Sequence, residues 1–292
     1  MPLPTFLICG AEKAGTTALF NFMKGHPEIS LSTEKELHYF SSNYEKGLEW
    51  YEGKFRVKKG AKAIGEASPS YMYDERVPER IKSTLPDVKL IFILRHPVDR
   101  AYSHYWHRVN RSGSENLSFE EAIKRAIEAE KKGVKEGEDA ERISYLTRGK
   151  YAEHLERFKK VFPEERMLVL IHRDLKNKPE EVMRRVFEFI GVDPDFRGEN
   201  WGEKHNVGIT PKSQIADRMV KKIIFGNKAG IKFKFFMENH MPSVWKMFGK
   251  MLYREGYPPM KAKIRRVLLD YYEPHNRRLE KMIGRELKWW YE

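Results

Sequence analysis

The sequence predicts an α/β fold, with a central, mostly parallel sheet flanked by helices and a C-terminal helical extension. Three observations predict it. Apolar runs of strand length at residues 5–9, 89–94 and 167–171 are continuous rather than alternating, as expected of strands buried on both faces. Each is followed by a segment with helical spacing, and strands alternating with such helices form parallel sheets covered on both sides. The alternation stops near Gly191. One domain is therefore expected over 1–292, with its core at about 1–191 and a basic, helical extension at about 192–292.

The elements follow in chain order. The first run is bounded by Gly10 and leads into residues 16–24, where Ala18, Leu19, Phe22 and Met23 cluster at helical spacing until Gly25-His26-Pro27 stops them. Residues 61–66 read as a weaker strand. Val77, Ile81 and Leu85 recur four apart on one helical face, which Pro86-Asp87 ends. The run at 89–94 is the clearest buried strand, and Pro97 suits the first turn of the helix behind it. Ser118-Phe-Glu-Glu121 has the spacing of a capping box. Residues 129–142, mostly charged with two glycines, read as a solvated helix end or loop. Tyr151, Leu155, Phe158 and Phe162 mark an amphipathic helix stopped by Pro163, and 179–190 another closed by Gly191. A last helix from about 261 to 282 leads to Trp289-Trp290-Tyr291.

Composition narrows the function classes. With 40% hydrophobic and 33% charged residues the chain is neither disordered nor fibrous, and no apolar run reaches membrane-spanning length. No basic leader precedes the first strand, so no secretory signal is expected and the expected address is cytoplasmic. The single Cys9 rules out an intramolecular disulfide framework and a cysteine-based zinc site, and inside a strand it reads as a small hydrophobe. The net charge is +13, and residues 204–263 alone hold 13 Lys/Arg against Asp217, Glu238 and Glu255. That segment also carries Phe225, Phe233, Phe235, Phe236, Trp245, Phe248 and Tyr253, read as core and cleft lid rather than as a membrane-binding face. Such a charge suits an anionic partner without choosing one.

Two constellations carry chemistry. Gly10-Ala-Glu-Lys-Ala-Gly15-Thr16-Thr17 joins the first strand to the first helix, where backbone N–H groups and the helix dipole converge on an anion. The spacing is that of a nucleotide P-loop with Lys13 displaced ahead of Gly15 and Thr16 where the P-loop lysine would stand, so the predicted fold is a P-loop-like, three-layer one. Second, the strand at 89–94 ends in Arg95-His96-Pro97, with Ser103 two helical turns on. A P-loop hydrolase would be expected to end a neighbouring strand in a magnesium-holding Asp. An Arg instead suits a second phosphate, and two anion sites on adjacent strand ends suggest a nucleotide phosphorylated at both ends. Read alone, Arg95 could equally pair with Asp99. His104 and His107 share a helical face but lack a third metal ligand nearby.

The loop at Lys13 to Thr17, the Arg95-His-Pro97 element with Ser103, and Tyr272-Glu-Pro-His-Asn276-Arg-Arg-Leu279 leading to Trp289 together resemble the sulfotransferases that use 3′-phosphoadenosine 5′-phosphosulfate (PAPS). The likeness is nearest to the branch of the heparan sulfate sulfotransferases and their bacterial relatives, and runs from about Phe6 to Trp290. It implies PAPS as donor and adenosine 3′,5′-bisphosphate (PAP) as product. Carried over, Lys13, Ala14, Gly15, Thr16 and Thr17 hold the 5′-phosphosulfate, and Arg95 with Ser103 the 3′-phosphate. A further nucleotide contact falls on Arg254, with Lys212 in reserve.

Lys35-Glu36-Leu37-His38-Tyr39-Phe40 resembles the family's Glu-x-His-Phe stretch, and alternation would put Glu36 and His38 on one side of a short strand. Sulfuryl transfer to an alcohol needs a base at the attacking oxygen and positive charge at the departing phosphate. Glu36 is the expected base, His38 its assistant or an acceptor contact, and Lys13 the cation at the leaving group. Glu66 and Ser68 are expected to line the acceptor cleft. Where heparan sulfotransferases tend to have a lysine, this chain has Ala67, which removes a cation for a sulfated sugar. The acceptor is expected to be a small molecule, glycan or lipid, and not nucleic acid. Two rival readings stay open: a P-loop kinase or NTPase, and a basic protein that binds nucleic acid or an anionic surface.

Overall fold

The computed structural model describes residues 3–112, 114–199, 201, 209–212, 235, 237 and 240–292. Strand β1 (Phe6–Gly10) leads to helix α1 (Thr16–Met23), then β2 (Ile29–Leu31), α2 (Gly47–Glu52), β3 (Ala63–Ala67), α3 (Val77–Thr84), β4 (Lys89–Leu94) and α4 (Pro97–His107). Helices α5 (Phe119–Lys132), α6 (Gly137–Thr147) and α7 (Tyr151–Lys159) precede strand β5 (Met167–Ile171), and α8 (His172–Asn177) and α9 (Pro179–Ile190) follow it. The five strands form one sheet in the order β2-β3-β1-β4-β5, every pair parallel. The predicted P-loop-like α/β fold is therefore present.

Strand alternation builds the layers. Phe6, Ile8, Ile91 and Ile93 face one side, against Leu19 and Phe20 of α1 and Val186 and Phe187 of α9. Leu7, Cys9, Leu90 and Phe92 face the other, against Ile81 of α3, Phe158 of α7 and Leu279 of the C-terminal helix Ala262–Ile283. Helix α9 shows how the sequence does this. Pro179 starts it, Val182, Met183, Val186, Phe187 and Ile190 fall on one buried face, and Gly191 at φ 83° closes it. Burying such a face contributes roughly 1.5–3 kcal/mol per large side chain.

The structure corrects several expectations. Residues 131–136 are a solvated helix end and loop as read, but a new helix follows from Gly137. Helix α5 ends at Lys132 with Gly133 left-handed behind it, and α6 begins at Gly137. The charges of α6 mask its amphipathic nature because they pair within it: buried Arg142 donates to Asp139 at 2.7 Å and Glu138 at 2.9 Å. Strand β2 and helix α2 were not signalled, being three and six residues long. The capping box at Ser118 and Glu121 is made as read.

The chain divides into two compact units, one of residues 1–104, 118–206 and 262–292, the other of residues 105–117 and 207–261. In the second unit Ile209–Pro211 (β6) and Tyr253–Glu255 (β7) pair antiparallel, and the helix Pro242–Leu252 precedes β7. Its Met247 and Met251 are 67% and 64% exposed, so they are not core. Phe225, Phe233 and Phe236 lie outside the described residues. No described helix is long and apolar enough to cross a membrane.

Candidate active site

The site is built on the rim formed by the carboxyl ends of parallel strands. Beyond Gly10 the chain is tied to β4 by the Ala11 N–H, which donates to the Ile93 carbonyl at 2.8 Å. Lys13 takes a left-handed φ of 64°, and Gly15 follows at φ 100° as the residue before α1. Gly15 is required twice over: its backbone is left-handed, and a Cβ there would lie 2.7 Å from Cδ2 of His172. No side chain caps α1, and its first backbone bond runs from the Leu19 N–H to the Gly15 carbonyl. The N–H groups of Thr16, Thr17 and Ala18 therefore stand ahead of the helix ladder with the positive end of its dipole. Such an arrangement binds anions. Glu12, the one acid in this loop, is neutralised by Arg148, and its N–H donates to the Tyr73 hydroxyl at 3.0 Å.

Arg95 follows β4. Its guanidinium does not pair with Asp99, which instead bonds Arg265 at 2.9 Å; Nη1 of Arg95 donates to the Lys13 carbonyl at 3.1 Å. The two basic residues singled out from the sequence thus meet on one rim. Tyr151 donates its hydroxyl to the Arg95 carbonyl at 2.8 Å, fixing the strand end. His96 accepts the Val98 N–H on Nδ1 at 3.2 Å, capping α4. It must be neutral to do so, and burial, working with Arg265 and Arg95 against Asp99, pushes its imidazole down to about 4. Ser103 lies buried on α4.

His172, the first residue after β5, was missed. It occupies the same strand-end position as Arg95 and touches Gly15, and burial followed by the charges of Arg95 and Lys176 holds it neutral, at about 4. The strand-end rule that selected Arg95 could have selected it. Arg254 lies exposed on β7, in the second unit, and Lys212 follows β6 there, its N–H on the Leu252 carbonyl at 2.8 Å.

Glu36 and His38 are brought together, but not by a strand. Both are left-handed, at φ 65° and 52°, because their segment docks on the end of β3 instead of extending alongside it. The Glu36 N–H donates to the Ala67 carbonyl at 2.9 Å and the His38 N–H to Oγ of Ser68 at 3.0 Å. Nδ1 of His38 shares a 2.8 Å hydrogen bond with Oγ of Ser70, leaving Nε2 3.9 Å from Oε2 of Glu36. Glu36 is half exposed and bonded to Lys35. Partial burial raises its carboxyl, but the Lys35 bond and the charges of Lys35, His38 and Lys13 outweigh this and hold it below the usual glutamate range. An ionised carboxylate, an imidazole and a nearby ammonium are the groups a proton-abstracting site needs.

Glu66 and Ser68 do not line a cleft, since both are 0% exposed. Oε1 of Glu66 accepts the hydroxyls of Tyr51 at 2.8 Å and Tyr71 at 2.7 Å, and Oε2 accepts that of Ser68 at 2.8 Å. Burial raises this carboxyl above the usual range in spite of those three donors. Among the described residues no group of three or more His, Cys, Asp or Glu is arranged to hold a metal.

The sulfotransferase domain family matches residues 3–284. The chain belongs to the sulfotransferase family. Human bifunctional heparan sulfate N-deacetylase/N-sulfotransferase 3 is 31% identical to this chain over 299 residues, covering 99% of the chain and 31% of the human protein. Mouse heparan sulfate glucosamine 3-O-sulfotransferase 3B1 is 28% identical over 292 residues, covering 98% of the chain and 65% of the relative. The chain thus spans about a third of the first of these and less than two thirds of the second. A crystal structure of a sulfotransferase from Alicyclobacillus acidocaldarius covers 100% of both chains with a TM-score of 0.72 at 25% identity.

Proposed function

We propose that the chain transfers a sulfuryl group from PAPS to a hydroxyl or amine of an acceptor, acting over 1–292 as a single sulfotransferase domain. The observation that carries this reading is the meeting of two cationic residues on one rim, Arg95 bonded to the Lys13 carbonyl at the ends of adjacent parallel strands. A nucleotide with phosphate at both ends suits two such anchors, whereas a magnesium-dependent hydrolase needs an acid where Arg95 stands. In this reading Lys13, Ala14, Gly15, Thr16 and Thr17 hold the 5′-phosphosulfate, with Arg95 and Ser103 holding the 3′-phosphate.

The donor supplies an activated sulfuryl group, and the chain's residues do the rest. Glu36, ionised because of Lys35, His38 and Lys13, takes the proton from the acceptor oxygen or nitrogen as that atom bonds to sulfur. Lys13 neutralises the charge that develops as the sulfur–oxygen bond to the phosphate breaks, leaving PAP. The N–H groups of α1 add fixed dipoles that need no reorganisation. Ala67 stands where heparan sulfotransferases tend to have a lysine and supplies no cation of its own, which favours an acceptor less sulfated than mature heparan chains.

The test is calorimetric binding of PAP, ATP and 5′-AMP. PAP is expected to bind at least tenfold more tightly than 5′-AMP, since the 3′-phosphate adds charge-assisted hydrogen bonds of about 1.5–3 kcal/mol each. Preference for ATP, with chelator-sensitive hydrolysis, would overturn the reading.

A further inference from the structure

The proposed reaction makes no use of the buried carboxyl of Glu66, yet its three hydroxyl donors all lead to the segment that carries Glu36 and His38. Ser68, which donates to Glu66, accepts the His38 N–H at 3.0 Å. Tyr71, which also donates to Glu66, accepts the Phe40 N–H at 3.3 Å. Tyr51, the third donor, stacks on Tyr39 with ring centroids 4.2 Å apart and planes 9° from parallel. Residues 38, 39 and 40 are thus gripped in succession.

The grip has something to resist. Glu36 and His38, two left-handed non-glycine residues, hold a disfavoured backbone that persists only where their surroundings fix it. A hydroxyl has one hydrogen to give and lone pairs to accept with. Both oxygens of Glu66 accept, so they draw the Ser68 and Tyr71 hydrogens inward and turn the hydroxyl lone pairs toward the backbone N–H groups.

We infer that Glu66 is a positioning residue for the acid–base pair: it orients the Ser68 and Tyr71 hydroxyls that hold the His38 and Phe40 N–H groups, and so fixes the strained backbone on which Glu36 and His38 meet. This rests on Glu36 being the base. An amide at position 66 keeps the shape but presents N–H groups to at least one of the hydroxyls, which loosens that catch.

The experiment compares Glu66→Gln, Ser68→Ala and Tyr71→Phe with the parent by amide hydrogen exchange, PAP binding and carbon-13 NMR titration of the Glu36 carboxyl. Exchange in 36–40 is expected to rise about tenfold in Glu66→Gln, the effect of one weakened hydrogen bond. Ser68→Ala should speed exchange at His38 and Tyr71→Phe at Phe40. The Glu36 midpoint should move up toward 4.5 in Glu66→Gln as its fixed distance from Lys35 and Lys13 is lost. PAP affinity should stay within about twofold, because Lys13 and Arg95 are untouched. Unchanged exchange at 36–40, or equally faster exchange throughout β1 and β4, overturns the inference. If Glu66→Gln fails to fold, the other two variants decide, and unchanged exchange at both amides overturns it. Full sulfuryl transfer by Glu36→Gln would instead remove Glu36 as the base, on which the inference rests, and leave both the sulfotransferase reading and the exchange result standing.

Discussion

In the proposed reaction Lys13 and Arg95 divide the work of one ligand, and their substitutions should separate it. Lys13→Ala is expected to lower turnover about 10²–10³-fold while changing PAP affinity far less, because its charge matters most when the leaving oxygen becomes negative. Equal losses in both, measured by calorimetry and radiolabelled sulfuryl transfer, would deny it that role. Arg95→Ala should narrow the preference for PAP over 5′-AMP, since it removes the anchor assigned to the phosphate that only PAP carries. Transfer should fall at low pH as Glu36 takes up its proton, with a midpoint below 4.5 because the carboxyl is held down. A limb near neutrality would point to another base. At this scale identities were legible and conformations were not. Arg95 stands out because a strand of six apolar-flanked residues ends in a cation, whereas the left-handed backbones of Glu36 and His38 leave no mark in residue type. Glu66 was read as a cleft residue from the likeness of its segment to the heparan sulfotransferases, and its three hydroxyl partners are contributed by an undetected helix and the turn after β3.

Elements were legible in proportion to their length and to how far burial alone dictated them. Strands β1, β4 and β5 and helix α9 carry uninterrupted or strictly periodic apolar patterns, so their existence follows from the sequence. Strand β2 is too short to show a period, and α6 hides its buried face behind acids that pair with its own Arg142. Two substitutions probe this scale. Phe187→Ala, which empties a fully buried site where its ring packs on His26, Phe196 and Trp201, should destabilise by about 3–5 kcal/mol in urea unfolding. Ser118→Ala breaks the capping box of α5 and should cost about 1 kcal/mol. Comparable effects would mean that the sheet layer is not where the stability resides.

The whole molecule should be acid-sensitive. His96, His154 and His172 are each held neutral, at about 4 against an ordinary 6.5, chiefly by burial. Their folded values lie below the unfolded one, so the stability they contribute is complete above 6.5 and is lost as pH falls through the window to about 4. Each is worth on the order of 3 kcal/mol at the bottom of that window. The urea midpoint should therefore drop steadily below pH 6.5, and a flat midpoint down to pH 4.5 would refute the assignment. The strand order has a temporal consequence. Strand β1 is the first made, yet its neighbours are β3 and β4, some 60 and 80 residues later, and β5 and His172 close the rim only after residue 167. Contacts that distant are slow to assemble. A nascent chain leaving the ribosome must expose β1 until β4 is made some 80 residues later, and must hold the Lys13 loop without its His172 wall until β5 has followed.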